Sequence, residues 1–318
     1  MQAKGSPPPV GVIFDTALTS SEHVLALAAL YKLQSTREAR VASLSVSRGD
    51  LRTAALCDAL LRFFSGTASR SSMPIGMPTV AARGQTPNAM AEAVLGALTA
   101  GGEPRHPNGI AKINDTADVA AVIRNGISAQ QPDNGAVVIA GPLSNLAAAM
   151  ALPDLAGLVA KRIRVLTVAV TAENLRADLA AARRVFKDWT GPVVLVQTPE
   201  IAFPGAELEA RFAWSADNPV REAYQSFQKM PYDAPLQSAA AVLYAVRPES
   251  DLFTLSPPGV IELMDNGDAN FTSVANGKHR VLRPVANRQE DAVKTLVELV
   301  TGQPTSPARG GRGGGKQE

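Results

Sequence analysis

A doubly wound α/β fold, with a mostly parallel sheet and a C-terminal β-hairpin and helix, is what the 318-residue sequence predicts. Three observations carry that expectation. Short runs rich in Val, Ile and Leu, bounded by turn residues, recur along the chain, as strands buried on both faces do. Ala/Leu-rich stretches of helical periodicity stand between them, and strand–helix–strand repetition places consecutive strands parallel. Finally, 46% hydrophobic and 19% charged residues is the balance of an ordinary globular chain.

In chain order, the first strand is read over 10–15, where "VGVIFD" runs into Asp15, and "SSEHVLALAALYKL" after it predicts a helix over 20–33. A strand over 40–46 and a helix over 51–64 follow. The latter holds Cys57 in "LRTAALCDALLRFF", whose apolar spacing marks a buried thiol. Helices are expected over 88–99 and 116–130, a strand over 136–140 and a helix over 145–150. Strands over 163–170 and 192–196 flank a helix over 179–188. A helical run over 237–246 leads into "VIELMDNGDANFTSVANGKHRVL", where "DNGD" between alternating runs is a hairpin signal that puts His279 on a surface hairpin. A last helix over 288–301 stops at Gly302. One domain over 10–302 is expected, with a flexible N-terminus over 1–9 and a disordered Gly/Arg tail over 303–318.

Composition narrows the function classes. With a single cysteine, neither a disulfide framework nor a cysteine-based zinc site can form. No apolar run reaches the ~20 residues of a membrane span, and "MQAKGSPPPVGV" has no apolar signal region, so a soluble, cytoplasmic protein is expected. The net charge is +2, and Arg309, Arg312 and Lys316 against Glu318 place +2 in the tail, leaving a neutral body. A neutral body argues against a nucleic-acid partner. The two Arg-Gly units of "ARGGRGGG" leave open an interaction protein with an RNA-binding tail, although no aromatic residue is interleaved.

Four segments resemble the inosine/uridine-preferring nucleoside hydrolases, in that family's order. They are the strand, "DT", acidic loop and "LALAAL" of residues 11–33; "VVIAGPLSNLAAAMALPDL" (137–155); "ENLRADLAAARRVFKDWTGPVVLV" (173–196); and "AAAVLYAVRPESDLFTLSPPG" (239–259). The resemblance spans residues 10–302. It implies cleavage of ribonucleoside N-glycosidic bonds by a calcium-bound water, a riboside ligand and a homo-oligomer.

At the positions that the resemblance implies for calcium, the sequence departs from the family's D-T-D-x-G-x-x-x-D-D loop. Asp15 is kept. Ala17 stands at the second aspartate, Glu22 and His23 at the Asp-Asp pair, and Gln237 and Ser238 at the late His-Asp pair. The backbone carbonyl of Ala140, before "GP", is the position that needs no particular side chain. Calcium takes ~6–8 oxygen ligands, several of them anionic, and imidazole is a poor donor to it. The candidate metal ligands are therefore Asp15, Glu22 and the Ala140 carbonyl, with Asp15 also a remnant general base.

Glu22 has a second explanation. Thr19-Ser20-Ser21-Glu22 fits a capping box at a helix start, and the local pattern favours the cap over the ligand. Asn174 and Asp178 match the family's N-x-x-x-D and are candidate ligand-binding residues, Asp178 also reading as a helix cap. Glu173 is out of register with the family's E-x-N. His106, in the loop "EPRHPNGI", is the third ligand-binding candidate. The expected function is a riboside-binding relative with little or no hydrolase activity and no cofactor. An active hydrolase with a modified calcium site is the alternative.

Overall fold

The computed structural model describes residues 8–66, 73–79, 86–169 and 171–303. All of the tail read from the sequence but Gln303, and most of the N-terminal segment, lie outside the described residues, as does the end of the strand expected over 163–170.

The chain opens with β1 (Val10–Thr16), α1 (Ser21–Ser35), β2 (Ala39–Val46), α2 (Leu51–Ser65), β3 (Ile75–Met77) and α3 (Ala89–Gly96). Next come β4 (Ala117–Asp118), α4 (Val119–Ser128), β5 (Gly135–Ala140), α5 (Ser144–Ala149), α6 (Leu155–Arg162) and β6 (Ile163–Ala169). Then follow α7 (Ala172–Ala177), α8 (Leu179–Asp188), β7 (Val193–Val196), β8 (Ala202–Phe203), α9 (Leu208–Arg211), α10 (Pro219–Phe227), β9 (Ala234–Pro235) and α11 (Gln237–Val246). The end is β10 (Phe253–Leu255), β11 (Gly259–Leu263), β12 (Ala269–Ser273), β13 (His279–Pro284) and α12 (Gln289–Thr301).

The main sheet runs in the order β12-β11-β13-β7-β6-β5-β1-β2-β3-β4, with β10 paired to β13. From β13 through β4 the neighbours are parallel. The strand order reverses at β1, which lies between β2 and β5, and such a switch point opens a crevice at the C-terminal strand ends. Asp15 pairs there with Ser45 on one side and Ile139 on the other.

Period-two alternation divides the core between the two faces. Val12, Phe14, Ala136 and Val138 pack with α1, α2, α3, α10, α11 and α12, whereas Ile13, Val137 and Ile139 pack with α4, α5, α6 and α8. Each fully buried Leu, Ile or Phe side chain contributes about 1.5–3 kcal/mol. Helix α1 is buried nearly all round, because α10, α11 and α12 pack against it in addition to the sheet.

Several helices start at polar caps that the sequence makes plain: Asp50 for α2, Asn88 for α3, Asp118 for α4, Thr171 for α7, Asp178 for α8, and Asn218 followed by Pro219 for α10. The helix expected from 116 begins instead at Val119, because Ala117 and Asp118 pair with β3. The hairpin signal holds: β11 and β12 are antiparallel, and Gly267 turns the chain at φ +86°. The continuation differs. His279 begins β13, parallel to β7, and is buried rather than on a surface hairpin. Its Nδ1 accepts the Ile261 N–H at 2.9 Å and its Nε2 donates to the Phe186 carbonyl at 2.9 Å. Among the described residues, no helix is long and apolar enough to cross a membrane.

Candidate functional site

At the switch point, β1 delivers Asp15 into a fully buried position. Its Oδ1 accepts hydrogen bonds from the Ser45 hydroxyl and from Asn145 Nδ2, the latter at 2.7 Å. Its Oδ2 is buried without a partner among the described residues. Burial pushes the carboxyl up to about 7, against the opposing pull of Asn145 and Ser45. Asn145, which reads as a helix-start residue, does not cap α5; the same Nδ2 also donates to the Val46 carbonyl at 3.1 Å.

Residues 17–19 are pinned by hydrogen bonds. The Ala17 N–H donates to the Ala140 carbonyl at 3.0 Å, so one lone pair of that carbonyl serves the backbone. Gly141 packs against this bend so closely that a Cβ there would lie 2.6 Å from the Ala17 nitrogen. Leu18 takes φ +49°, and its carbonyl accepts from Asn88 Nδ2 at 2.9 Å.

Helix α1 then starts without the capping box. Ser20, not Thr19, precedes the helix, and its side chain makes no cap bond. The reciprocal arm comes from His23, whose Nδ1 accepts the Thr19 N–H at 3.2 Å. The proton of this neutral ring therefore sits on Nε2. Burial lowers the imidazole to about 4. Glu22 turns to another helix: its Oε1 accepts the Ser238 N–H at 2.8 Å and the Ser238 hydroxyl at 2.6 Å, at the start of α11. Burial raises this carboxyl, and the two Ser238 bonds oppose that rise. The neighbouring Gln237 Oε1 accepts the Thr198 N–H at 3.1 Å.

Above these residues lies a cleft of ≈ 490 Å³. Its wall is formed by Thr19, Ser20, Glu22 and His23 at the start of α1, Arg48 after β2, and residues 86–90 leading into α3. Thr171, Glu173 and Asn174 at the start of α7, and Phe227 at the end of α10, complete it. Of the candidate metal and ligand residues read from sequence, Glu22 and Asn174 line the cleft, whereas Asp15, Ala140, Asp178 and His106 lie outside its lining. Asp178 caps α8, its Oδ1 accepting the Ala181 N–H at 3.0 Å. His106 is neither solvated nor in the cleft wall: it is buried with Nε2 3.0 Å from Glu222 Oε2, and Arg105 holds the same carboxylate at 2.9 Å.

Arg48 and Phe227 escape sequence reasoning. Arg48 follows a strand in no recognisable motif, and Phe227 belongs to a helix that the hydrophobic pattern did not single out. Its strong apolar stripe of Val220, Ala223 and Tyr224 is the signal that could have found that helix.

No protein-family model matches the chain, and no curated protein matches it. Solved structures do. A plant nucleoside hydrolase aligns over 93% of this chain and 100% of its own at TM-score 0.64 and 20% identity. An inosine-guanosine nucleoside hydrolase aligns over 91% and 98% at TM-score 0.66 and 17% identity. The fold is that of the nucleoside hydrolases. This nucleoside hydrolase fold is also shared by the type III effector XopQ in complex with adenosine diphosphate ribose, which covers 93% of this chain and 94% of its own at TM-score 0.61 and 13% identity.

Proposed function

We propose that this nucleoside-hydrolase-fold protein binds a riboside in the cleft between α1, α3, α7 and α10 and does not hydrolyse it by calcium-assisted chemistry. The observation that carries the reading is the Glu22–Ser238 pairing, which commits the second candidate carboxylate to a helix start.

The donor set does not fit the calcium ion that the fold family implies. Calcium requires ~6–8 oxygens, with anionic oxygens among them. Asp15 is fully buried and offers one unpartnered oxygen. Glu22 Oε1 holds Ser238, the Ala140 carbonyl holds Ala17, and Gln237 Oε1 holds Thr198. Among the described residues, no three His, Cys, Asp or Glu side chains group as a metal site requires. Acid–base groups contribute ~10²–10⁴ in rate, and a metal that activates water contributes several kcal/mol more. At about 1.36 kcal/mol per factor of ten, their joint loss removes on the order of 10⁵ or more.

The cleft keeps the means to hold a riboside. Phe227, 38% exposed, presents a ring to a flat base. The amide of Asn174 and the Nε2–H of His23 suit ribose hydroxyls. One fold relative has been solved with a ribose-containing ligand, adenosine diphosphate ribose.

A second reading, hydrolysis at a rearranged metal site, draws on the unpartnered Asp15 Oδ2. Calorimetric titration with adenosine, inosine and uridine, alongside an assay for released base with and without calcium, separates the two. Binding without calcium-dependent base release supports the first. Calcium-dependent turnover at an ordinary enzymatic rate overturns it in favour of the second.

A further inference from the structure

We infer that the cleft recognises a phosphorylated riboside, with Arg48 receiving the phosphoryl group. This rests on the riboside reading above and names the ligand class of the same cleft.

Arg48 stands in the cleft wall, half-buried, on the loop that leaves β2. One nitrogen, Nη2, donates to the Thr86 carbonyl at 2.6 Å, which fixes the guanidinium against the strap leading into α3. Nε is shut off from solvent and has no partner among the described residues. Among the described residues Arg48 forms no ion pair, although twelve such pairs involving an arginine or histidine occur elsewhere. The nearest acid along the chain, Asp50, is committed to α2 through the Arg52 N–H at 3.1 Å and the Thr53 hydroxyl at 2.7 Å. A guanidinium carries five donors and keeps its charge at any physiological pH. One that is held in place and partly desolvated, yet unpaired, is matched by a tetrahedral oxyanion, which accepts two of its N–H groups at once.

The surroundings agree. The start of α1, a 15-residue helix, opens on the same cleft, and Ser20 leaves its first N–H groups without a side-chain cap. Those N–H groups favour negative charge. Two carboxylates also line the cleft. Glu22 is turned to the N–H and hydroxyl of Ser238, and Glu173 is solvent-exposed on the α7 side, so neither is paired with Arg48.

The test is calorimetric titration of the full chain with adenosine, adenosine 5′-monophosphate, adenosine diphosphate ribose and inorganic phosphate, repeated with Arg48→Gln and Arg48→Lys. The monophosphate is expected to bind the native protein at least about tenfold more tightly than adenosine. That ratio should collapse toward one in Arg48→Gln, survive in part in Arg48→Lys, and shrink as salt is raised from 50 to 300 mM. A tighter grip on adenosine diphosphate ribose than on the monophosphate would assign a pyrophosphate; the reverse would assign a terminal monoester. Equal affinity for adenosine and its monophosphate in the native protein overturns this inference and leaves the riboside reading standing. Failure of every riboside to bind, with or without phosphate, overturns both. Inorganic phosphate binding alone would make the site an anion site and overturn the riboside part. A high ratio retained in Arg48→Gln removes Arg48 from the role. Should Arg48→Gln fail to fold, the native ratio and its salt dependence still decide.

Discussion

Asn145 Nδ2 lies 2.7 Å from Asp15 Oδ1 and 3.1 Å from the Val46 carbonyl, so one amide group ties the end of β1 to the end of β2. Asp15 thus sits at the mouth of the central strand, held on one oxygen and bare on the other, at a position suited to an enzyme's working carboxylate. Burial brings its proton loss to about 7 in the folded chain, against 3.8 for the free side chain.

That difference sets a pH window. Between the two values the native state keeps a proton that the unfolded chain has released, so native stability falls as pH rises from about 4 to 7. Three pH units at about 1.4 kcal/mol each put the ceiling near 4 kcal/mol. Asp15→Asn cannot titrate. The unfolding free energy of the native protein minus that of Asp15→Asn should decline across the window and level off above it. Urea titrations at half-unit pH steps measure this, and a constant difference would reject the buried-acid account.

His23 slopes the other way. Its imidazole is held near 4 while the unfolded ring titrates near 6.5, so the unfolded state takes up the proton first and stability falls as pH drops from 6.5 to 4. Nitrogen-15 spectra should show an Nε2–H ring with Nδ1 as acceptor and no titration above about pH 5. A ring that titrates near 6.5 contradicts the buried bond to Thr19.

Divalent ions provide a third check. Ligands that bind only the native state raise Tm, by ≈ 2.7 kcal/mol of stabilisation at a hundred times Kd. With Asp15, Glu22 and Ala140 engaged as they are, millimolar calcium, magnesium or manganese should leave Tm unmoved in differential scanning calorimetry. A rise of several degrees with any of them revives the metal-dependent reading.

The strand ends were legible from sequence and much of the site was not, for a physical reason. A strand buried on both faces is apolar throughout, so "GVIFD", "AVVIA" and "VVLV" announce themselves locally. Helix caps are also local: Asp178 bonds to Ala181, three residues on. Glu22 is different. Thr19-Ser20-Ser21-Glu22 satisfies the box pattern, yet the carboxylate bonds to Ser238, 216 positions away, which no window of sequence displays. The three-residue β3 and the parallel pairing of β13 with β7 were hidden likewise, the first by shortness and the second by distance along the chain. His106 sits in a polar loop, and only the folded chain brings Glu222 to it.

The Glu22–Ser238 link can be weighed directly. Glu22→Ala leaves the Ser238 N–H and hydroxyl without their acceptor, and a buried donor left unsatisfied costs about 1–3 kcal/mol. A double-mutant cycle with Ser238→Ala should give a coupling of about 1–2 kcal/mol by urea unfolding, the backbone bond remaining in the single Ser238 variant. Additive effects would show that the two residues do not interact.

Gly141 packs directly against the bend that leads from β1 into the cleft wall. With a Cβ placed 2.6 Å from the Ala17 nitrogen, Gly141→Ala must push residues 17–18 aside and should cost roughly 1–3 kcal/mol. Riboside affinity should fall with it, since those residues lead directly into the cleft wall. A variant as stable as the native protein by thermal melting would show that the bend yields freely.

The bond between Glu22 and Ser238 couples the cleft wall to the packing of α1 on α11. A carboxylate that clasps two packed helices cannot turn to another partner without loosening them, so whatever draws Glu22 into the cleft does so at the expense of folding stability. Natural chains keep little stability in reserve. Any use of Glu22 as a donor to a ligand in the cleft is therefore opposed by the helix pairing that its carboxylate serves.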